Sequence, residues 1–408
     1  MYLNYYINEY LKKIFLILFL KLIFFSQISN SNFEKKLLTF IRRNKVQVNT
    51  KNEKSYLNSI QNYIDLIYSK KIASIYFNDK INKPKVSFIA TVFNKENYLI
   101  PLILSIQHQN LRDFEIIFID DYSTDDSVNL INNFIKIDTR IKLIKNKGNK
   151  GTLYSRCSGA IYSQGEYIIF IDSDDLILKD GLYNSYNYIR NNKLSMIQFN
   201  TIFNWKEKLE LSKRYYRYKN IIKQPFLSYI FFYNEITHKG IESNTALWDK
   251  LLDRDLVGKA IKYIGKNYIR AKIKIENDVI LLFSLFQIAD SYQYIDEIGY
   301  FYIRTHTDSI TNSWKDPDIS NKIVFSIFTN IKFLYEKSRN TYLDKLFCLY
   351  KLKKSFDRYN ICFIHSAKEY NLIKEVFKIL LSSNYISKAD KIMISNIEIS
   401  ITNLIFQV

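Results

Sequence analysis

An α/β architecture with a parallel sheet flanked by helices is predicted for this chain on three grounds. From Lys85 onward, apolar runs rich in β-forming residues alternate with segments of helical length, the order that builds βα units with right-handed crossovers. Each run ends in polar or glycine residues: Asn94, Asp120-Asp121, Gly148 and Asp172–Asp175. The chemistry is thereby gathered on one edge of the sheet, where open α/β sheets bind their ligands. The fourth run, Tyr167–Ile171, is apolar throughout, as a strand buried on both faces must be, and passes straight into Asp172-Ser173-Asp174-Asp175.

The strands and helices follow in order. Val86–Thr91 is a strand, Val92–Lys95 a loop, and Leu99–Gln109 a helix. Phe114–Asp120 is the second strand, followed by a turn at Tyr122-Ser123 and a helix over Val128–Lys136. Ile141–Lys145 is the third strand, followed by the glycine turn Gly148–Gly151 and a helix over Cys157–Ser163. Before this block, Lys12-Lys13 precede the apolar runs Ile14–Leu20 and Leu22–Phe25, which are interrupted by Lys21. Together they are shorter than the ~20 apolar residues of a spanning helix. With small residues at Ser29 and Ser31, residues 1–31 suit a secretory signal peptide, with an uncleaved signal anchor as the alternative. Routing into the secretory pathway (endoplasmic reticulum or Golgi), with membrane association through the N-terminus, follows as an expectation. Residues 32–83 read as a helical stem, in which Leu57, Ile60, Ile64 and Ile67 share one face. Residues 314–408 read as a helical C-terminal extension. There Ile323, Ile327, Ile331 and Leu334 line one helix face, and Asn371–Leu381 forms another helix.

Composition narrows the function. With 408 residues, 47% hydrophobic and 24% charged, the chain has ample material for a core. The net charge of +19 is spread among Asn, Ile and Tyr along the whole length, so specific nucleic-acid recognition is not expected. The 3 cysteines, Cys157, Cys348 and Cys362, have no disulfide or zinc spacing, and the 4 histidines are too dispersed for an HExxH-type site. The acidic stretch is more telling. Carboxylates at Asp172, Asp174 and Asp175 repel one another unless a cation sits among them, and oxygen-only ligands favour magnesium or manganese over zinc. The plainer alternative is an acidic turn whose Asp175 caps the next helix.

Three blocks carry a resemblance to a known family: TVFNKENYLIPLILSIQHQ, FEIIFIDDYSTDDS and NKGNKGTLYSRCSGAIYSQGEYIIFIDSDD. In order, spacing and residue type they resemble the family-2 glycosyltransferases of the GT-A fold, densely over Lys85–Asn200 and more loosely over Thr245–Thr311. The resemblance implies a Rossmann-like mixed sheet over residues 84–313 and a nucleotide-diphospho-sugar donor, UDP-linked in the first instance. Thr91, Phe93, Asn94 and Glu96 fall in the first nucleotide-binding segment. Asp120 and Asp121 fall where the uracil ring and ribose are read, Arg156 beside the nucleotide, and Ser173 next to the donor. Asp172 and Asp174 match the DxD pair that holds Mn2+ or Mg2+ bridging the diphosphate. One departure is Ser155-Arg156-Cys157 where Ala-Arg-Asn is common; the arginine is kept.

Later segments extend the resemblance. Leu247–Leu251 is similar to the Trp-Asn-Lys-Leu box, so Trp248 either faces an acceptor sugar or is a core tryptophan at a helix start. Glu276-Asn277-Asp278 stands where the family has a Glu-Asp pair that supplies the base. Asp278 aligns best with that base, Asn277 replaces the usual acid, and Glu276 is the fallback; a plain helix N-cap is the bland alternative. Ile295–Thr311 resembles the closing strand, and His306 lies where some relatives give a third metal contact. The expected activity is metal-dependent, inverting transfer of a hexose to a hydroxyl of a glycan, lipid or protein. A catalytically silent relative that binds nucleotide or glycan is the alternative.

Overall fold

The computed structural model describes residues 61–67, 77, 83–179, 181–205, 208–211, 221–224, 227, 246–273, 276–303, 317–337 and 395. The N-terminal apolar runs, His306 and the helix expected over Asn371–Leu381 lie outside these residues.

The first half is four βα units. Strand β1 (Val86–Val92) leads to helix α1 (Glu96–Gln107), β2 (Phe114–Asp120) to α2 (Ser127–Ile135), and β3 (Ile141–Lys145) to α3 (Thr152–Tyr162). Strand β4 (Tyr167–Asp172) follows, then the short β5 (Leu176–Ile177) and helix α4 (Gly181–Asn191). Apart from Thr91, β1 is buried along its length, and β2 is buried throughout. Burial on both faces is what the unbroken apolar runs demand. The four strands pair in parallel in the order β3-β2-β1-β4. The chain runs outward from β1 to β3 and then crosses back to β4 on the other side of β1, so the switch point lies at the C-terminal ends of β1 and β4.

The second half turns the sheet mixed. It comprises β6 (Met196–Trp205), β7 (Lys208–Leu211), β8 (Ile222–Lys223), β9 (Lys250–Asp253) and β10 (Ser291–Ile303). Between β9 and β10 lie helices α5 (Arg254–Ile264), α6 (Lys266–Ile269) and α7 (Asn277–Ile288); α8 (Pro317–Lys337) follows β10. The full order is β3-β2-β1-β4-β9-β6-β10-β5, with β7 on β6 and β8 on β10. Strand β9 is antiparallel to both β4 and β6, while β6 and β10 run parallel with two register shifts.

Four helices start earlier than the sequence suggests, α1 at Glu96 rather than Leu99 and α2 at Ser127 rather than Val128 among them. Helix α3 begins at Thr152 rather than Cys157, because Gly151 at φ 92° breaks the turn immediately before it. That places Arg156 inside the helix, near its start. Helix α7 begins at Asn277 rather than Val279, after Glu276 takes a left-handed conformation at φ 50°, so Asp278 sits in the first turn. Farther along α3, Gly159 lets the helix lie against β1 and β2: a Cβ there would come within 2.5 Å of Ile89 Cγ2.

Residues ahead of β1 join the same body. Residues 61–67 are helical, and Ile64 and Ile67 are buried with Leu104, Leu176, Leu178, Ile202, Phe301 and Ile303. Phe77 bridges to Asp138, and its ring covers one face of the Arg140 guanidinium at 4.1 Å while Phe114 covers it at 4.0 Å. Arg140 and Asp138 form a fully buried ion pair, which Gln107 completes by donating to Asp138 at 2.8 Å. On the far helix face, Ile327, Ile331 and Leu334 of α8 are buried, as their spacing requires.

Candidate active site

Four loops and one helix start meet at the C-terminal edge of β1, β2 and β4. The loop after β1 turns through Asn94, a left-handed residue at φ 52°. It is pinned to the loop after β2 in both directions. Asn94 N–H donates to Ser123 Oγ at 3.0 Å and its side-chain oxygen accepts from Thr124 N–H at 2.8 Å. Glu96 accepts from Asp126 N–H at 2.7 Å, and its own N–H donates to Asp125 at 3.0 Å. Asn94 and Glu96 thus hold one loop against the other.

Asp120 and Asp121 are buried. Asp120 accepts from Ser123 N–H at 3.1 Å and shapes its own loop. Asp121 braces the glycine turn, accepting from Lys150 N–H at 2.7 Å, Gly151 N–H at 2.8 Å and Asn146 Nδ2 at 2.8 Å. Phe93 and Tyr122 stand beside these turns and are 47% and 59% exposed, Tyr122 on a backbone at φ 77°. They leave flat apolar faces open next to the two buried aspartates.

Arg156 is the hub. Its guanidinium is buried and donates to Asp172 at 2.7 Å, to Asn277 Oδ1 at 2.6 Å and to Asp278. Burial works against its charge, yet the carboxylates of Asp278 and Asp172 hold it more firmly protonated than an arginine in water. The carboxyl of Asp172 is pushed up to about 6, first by burial and then by Asp278 and Asp174, with Arg156 opposing. Asp174, across the cleft, forms an ion pair with Lys95 at 2.6 Å. Ser173 between them is buried, and Thr91 lies in register with Asp172 on the adjacent strand.

Asp175 is not a helix cap. It is buried and tied to β10, accepting from Tyr300 Oη at 2.7 Å and Ile303 N–H at 2.8 Å. Burial raises its carboxyl well above the usual range, with Asp174 and Asp172 adding to the effect. It anchors the Asp172–Asp174 turn to the closing strand. Trp248 is a core residue, 8% exposed, stacked on Tyr300 at 4.8 Å and packed edge-on to Phe203. It precedes strand β9 and does not start a helix, so of its two expected roles the structure places it in the core. Its neighbour Lys250 is fully buried, donating to Asp249 at 2.7 Å and Ala246 O at 2.6 Å, while Asp249 accepts from Gln198 at 2.8 Å. The Trp-Asp-Lys segment is thus a buried polar clamp between β6 and β9.

Asp278 makes no capping bond; the N-cap position belongs to Glu276, whose carbonyl accepts from Asn330 at 3.2 Å. Of the two carboxylates considered as base, Asp278 is the one joined to Arg156. Asn277, which stands where an acid was expected, supplies an acceptor to the same arginine. Lys95 was missed by sequence reasoning; a lysine in a loop of a lysine-rich chain carries no pattern, and only its position next to Asn94 could have drawn attention.

Among the described residues, no group of three His, Cys, Asp or Glu side chains is gathered to hold a metal ion. Two carboxylates, Asp172 and Asp174, do face one cleft, each already neutralised by a cationic side chain. Those cations are Arg156 on Asp172 and Lys95 on Asp174. That donor set fits a hard divalent ion completed by ligands from a substrate.

A parallel half-sheet with its switch between β1 and β4, extended by antiparallel β9 and closed by β10, defines an α/β domain of the class whose ligands lie at the carboxyl edge. Residues 87–253 match the sequence model described as Glycosyl transferase family 2. The chain is 42% identical over 123 residues to an uncharacterized glycosyltransferase of Haemophilus influenzae, covering 30% of this chain and 49% of the relative. It is 32% identical over 230 residues to the cholesterol galactosyltransferase of Borreliella burgdorferi, covering 55% of this chain and 61% of that protein. The chain therefore spans 49% and 61% of the length of these two curated relatives. The fold is that of GT-A glycosyltransferases. The crystal structure of S. aureus TarS 1-349 in complex with UDP-GlcNAc superposes with a TM-score of 0.54 at 16% identity, over 72% of this chain and 81% of that one. Among the described residues, no helix is long and apolar enough to cross a membrane.

Proposed function

We propose that this chain is a glycosyltransferase that moves a hexose from a nucleotide diphosphate, UDP in the first instance, to a hydroxyl acceptor with inversion. The observation that carries the reading is the arginine hub. One guanidinium spans Asp172, at the end of the strand where the diphosphate would lie, and Asp278, at the start of a helix on the other side of the cleft. Donor-side and acceptor-side carboxylates are thereby held at a fixed separation, which is what an in-line displacement requires of its machinery.

In this reading Asp278 takes the proton. Held at a helix N-terminus and paired with Arg156, its carboxylate accepts the proton of the acceptor hydroxyl as that oxygen attacks the anomeric carbon. The bond from the anomeric carbon to the diphosphate oxygen breaks on the opposite face, giving inversion. Asp172 and Asp174 would hold Mn2+ or Mg2+, which when bound supplies charge neutralisation to the departing diphosphate. Phe93 offers a ring face to the base, while Asp120 and Asp121 keep the surrounding turns in shape. The relatives' names include galactosyl transfer to cholesterol and glucosyl transfer to poly(ribitol phosphate). A lipid or a glycan acceptor is accordingly the class to try first.

The test is release of nucleotide from UDP-galactose, UDP-glucose and UDP-GlcNAc with manganese, to water and to lipid or glycan acceptors. The wild-type chain is expected to turn over at least one donor. Asp278→Asn is expected to lower kcat at least about 10²-fold with donor affinity retained. Wild-type rates in Asp278→Asn would remove the base, and a chain that binds UDP without any turnover would be a silent binder.

A further inference from the structure

Each aspartate of the Asp172/Asp174 pair already carries a protein cation, and the two cations are unlike. Arg156 on Asp172 is buried and also holds Asn277 and Asp278, so it is fixed in place by three partners. Lys95 on Asp174 is a single ammonium on a flexible stem, 21% exposed in the cleft, at 2.6 Å from one carboxylate oxygen. Its backbone is nonetheless anchored. Lys95 N–H donates to Ser127 Oγ at 2.9 Å, and the residues on either side of it are bonded into the loop after β2. The ammonium also lies 5.2 Å from the centre of the Tyr98 ring. The loop delivers this lysine to Asp174, while its stem leaves the charge free to move.

An ammonium at 2.6 Å and a divalent cation on the same carboxylate repel each other, because the two positive charges would lie within a few ångströms. We propose that Lys95 is a built-in counter-ion that keeps divalent metal off Asp174 until a nucleotide diphosphate enters the cleft. This rests on the reading of Asp172 and Asp174 as the ion-holding pair. The diphosphate brings negative charge to the same cleft and gives the Lys95 ammonium a second partner as the metal takes Asp174. Metal and nucleotide then tighten each other's binding by the same factor, as linkage requires. Lys95 acts on the reaction through this exchange; it is a positioning residue for the donor.

Binding of Mn2+ to the full-length protein, read as loss of the free-ion paramagnetic resonance signal, tests this with and without saturating UDP. In the wild type, Mn2+ binds weakly alone and at least about tenfold more tightly with UDP. Lys95→Met is expected to bind Mn2+ alone about tenfold more tightly than wild type and to lose most of the UDP effect, whereas Lys95→Arg keeps it. Lys95→Gln gives a second neutral variant should the methionine fail to fold, judged by its melting transition. If the neutral variants bind Mn2+ alone no better than wild type, while UDP still tightens Mn2+ in the wild type, the exchange is wrong and the ion-holding pair stands. If UDP leaves Mn2+ binding unchanged in the wild type, both fall.

Discussion

Arg156 owes its role to shape as much as to charge. A planar guanidinium reaches Asp172, Asn277 and Asp278 at once from the body of α3, and an ammonium could satisfy only part of that set. Arg156→Lys is therefore expected to lower stability by about 1–3 kcal/mol through acceptors left unpaired in the cleft, read as a shift in the urea midpoint. An unchanged midpoint would mean that the three acceptors are satisfied without the fork. At this scale much of the site was legible in advance. Asp172, Asp174, Arg156 and Asp278 fall in motifs whose spacing survives in one dimension. Lys95 carries no such pattern, and Asn277, although it sits in the Glu276–Asp278 motif, gains its role only when the start of α7 is brought beside Arg156. Asn94, Glu96 and Asp121 were legible as positions, yet the structure shows them bonded to neighbouring loops, which no spacing reveals.

The elements supply what the residues need. Strand β9 is short and antiparallel, and what fixes it between β4 and β6 is the polar clamp that follows Trp248. Lys250→Met leaves the Asp249 carboxylate buried without its cation and is expected to cost about 3–5 kcal/mol, seen as a lower midpoint in chemical unfolding. A loss below 1 kcal/mol would show that water reaches the pair. The strands of the first half were readable because buried parallel strands are unbroken apolar runs. Strand β9 was not: four residues after a tryptophan are as compatible with a helix start as with a strand. The starts of α3 and α7 also shifted, since Gly151 and the left-handed Glu276 set them by backbone conformation rather than by apolar periodicity.

Over the whole molecule, the parallel pairing of the first four strands followed from the repeated βα units, while their order and the mixed half depend on pairings that only the structure shows. The segment before β1 is likewise part of this body. Ile64 and Ile67 close one apolar cluster, and Phe77 covers Arg140. A chain starting at Pro84 is expected to be less stable than one starting at Val46 by at least about 3 kcal/mol, because the apolar burial of two isoleucine side chains against the domain is lost. Equal melting curves would assign those residues no share in the fold.

The central claim is that this carboxyl-edge cleft binds a nucleotide diphosphate through an ion held by Asp172 and Asp174. Calorimetric titration of UDP into the wild type and Asp174→Asn, with and without manganese, tests it directly. Manganese is expected to strengthen UDP binding at least about tenfold in the wild type and to leave it unchanged in Asp174→Asn. UDP affinity that ignores manganese in the wild type, or a manganese effect that survives in Asp174→Asn, would contradict it.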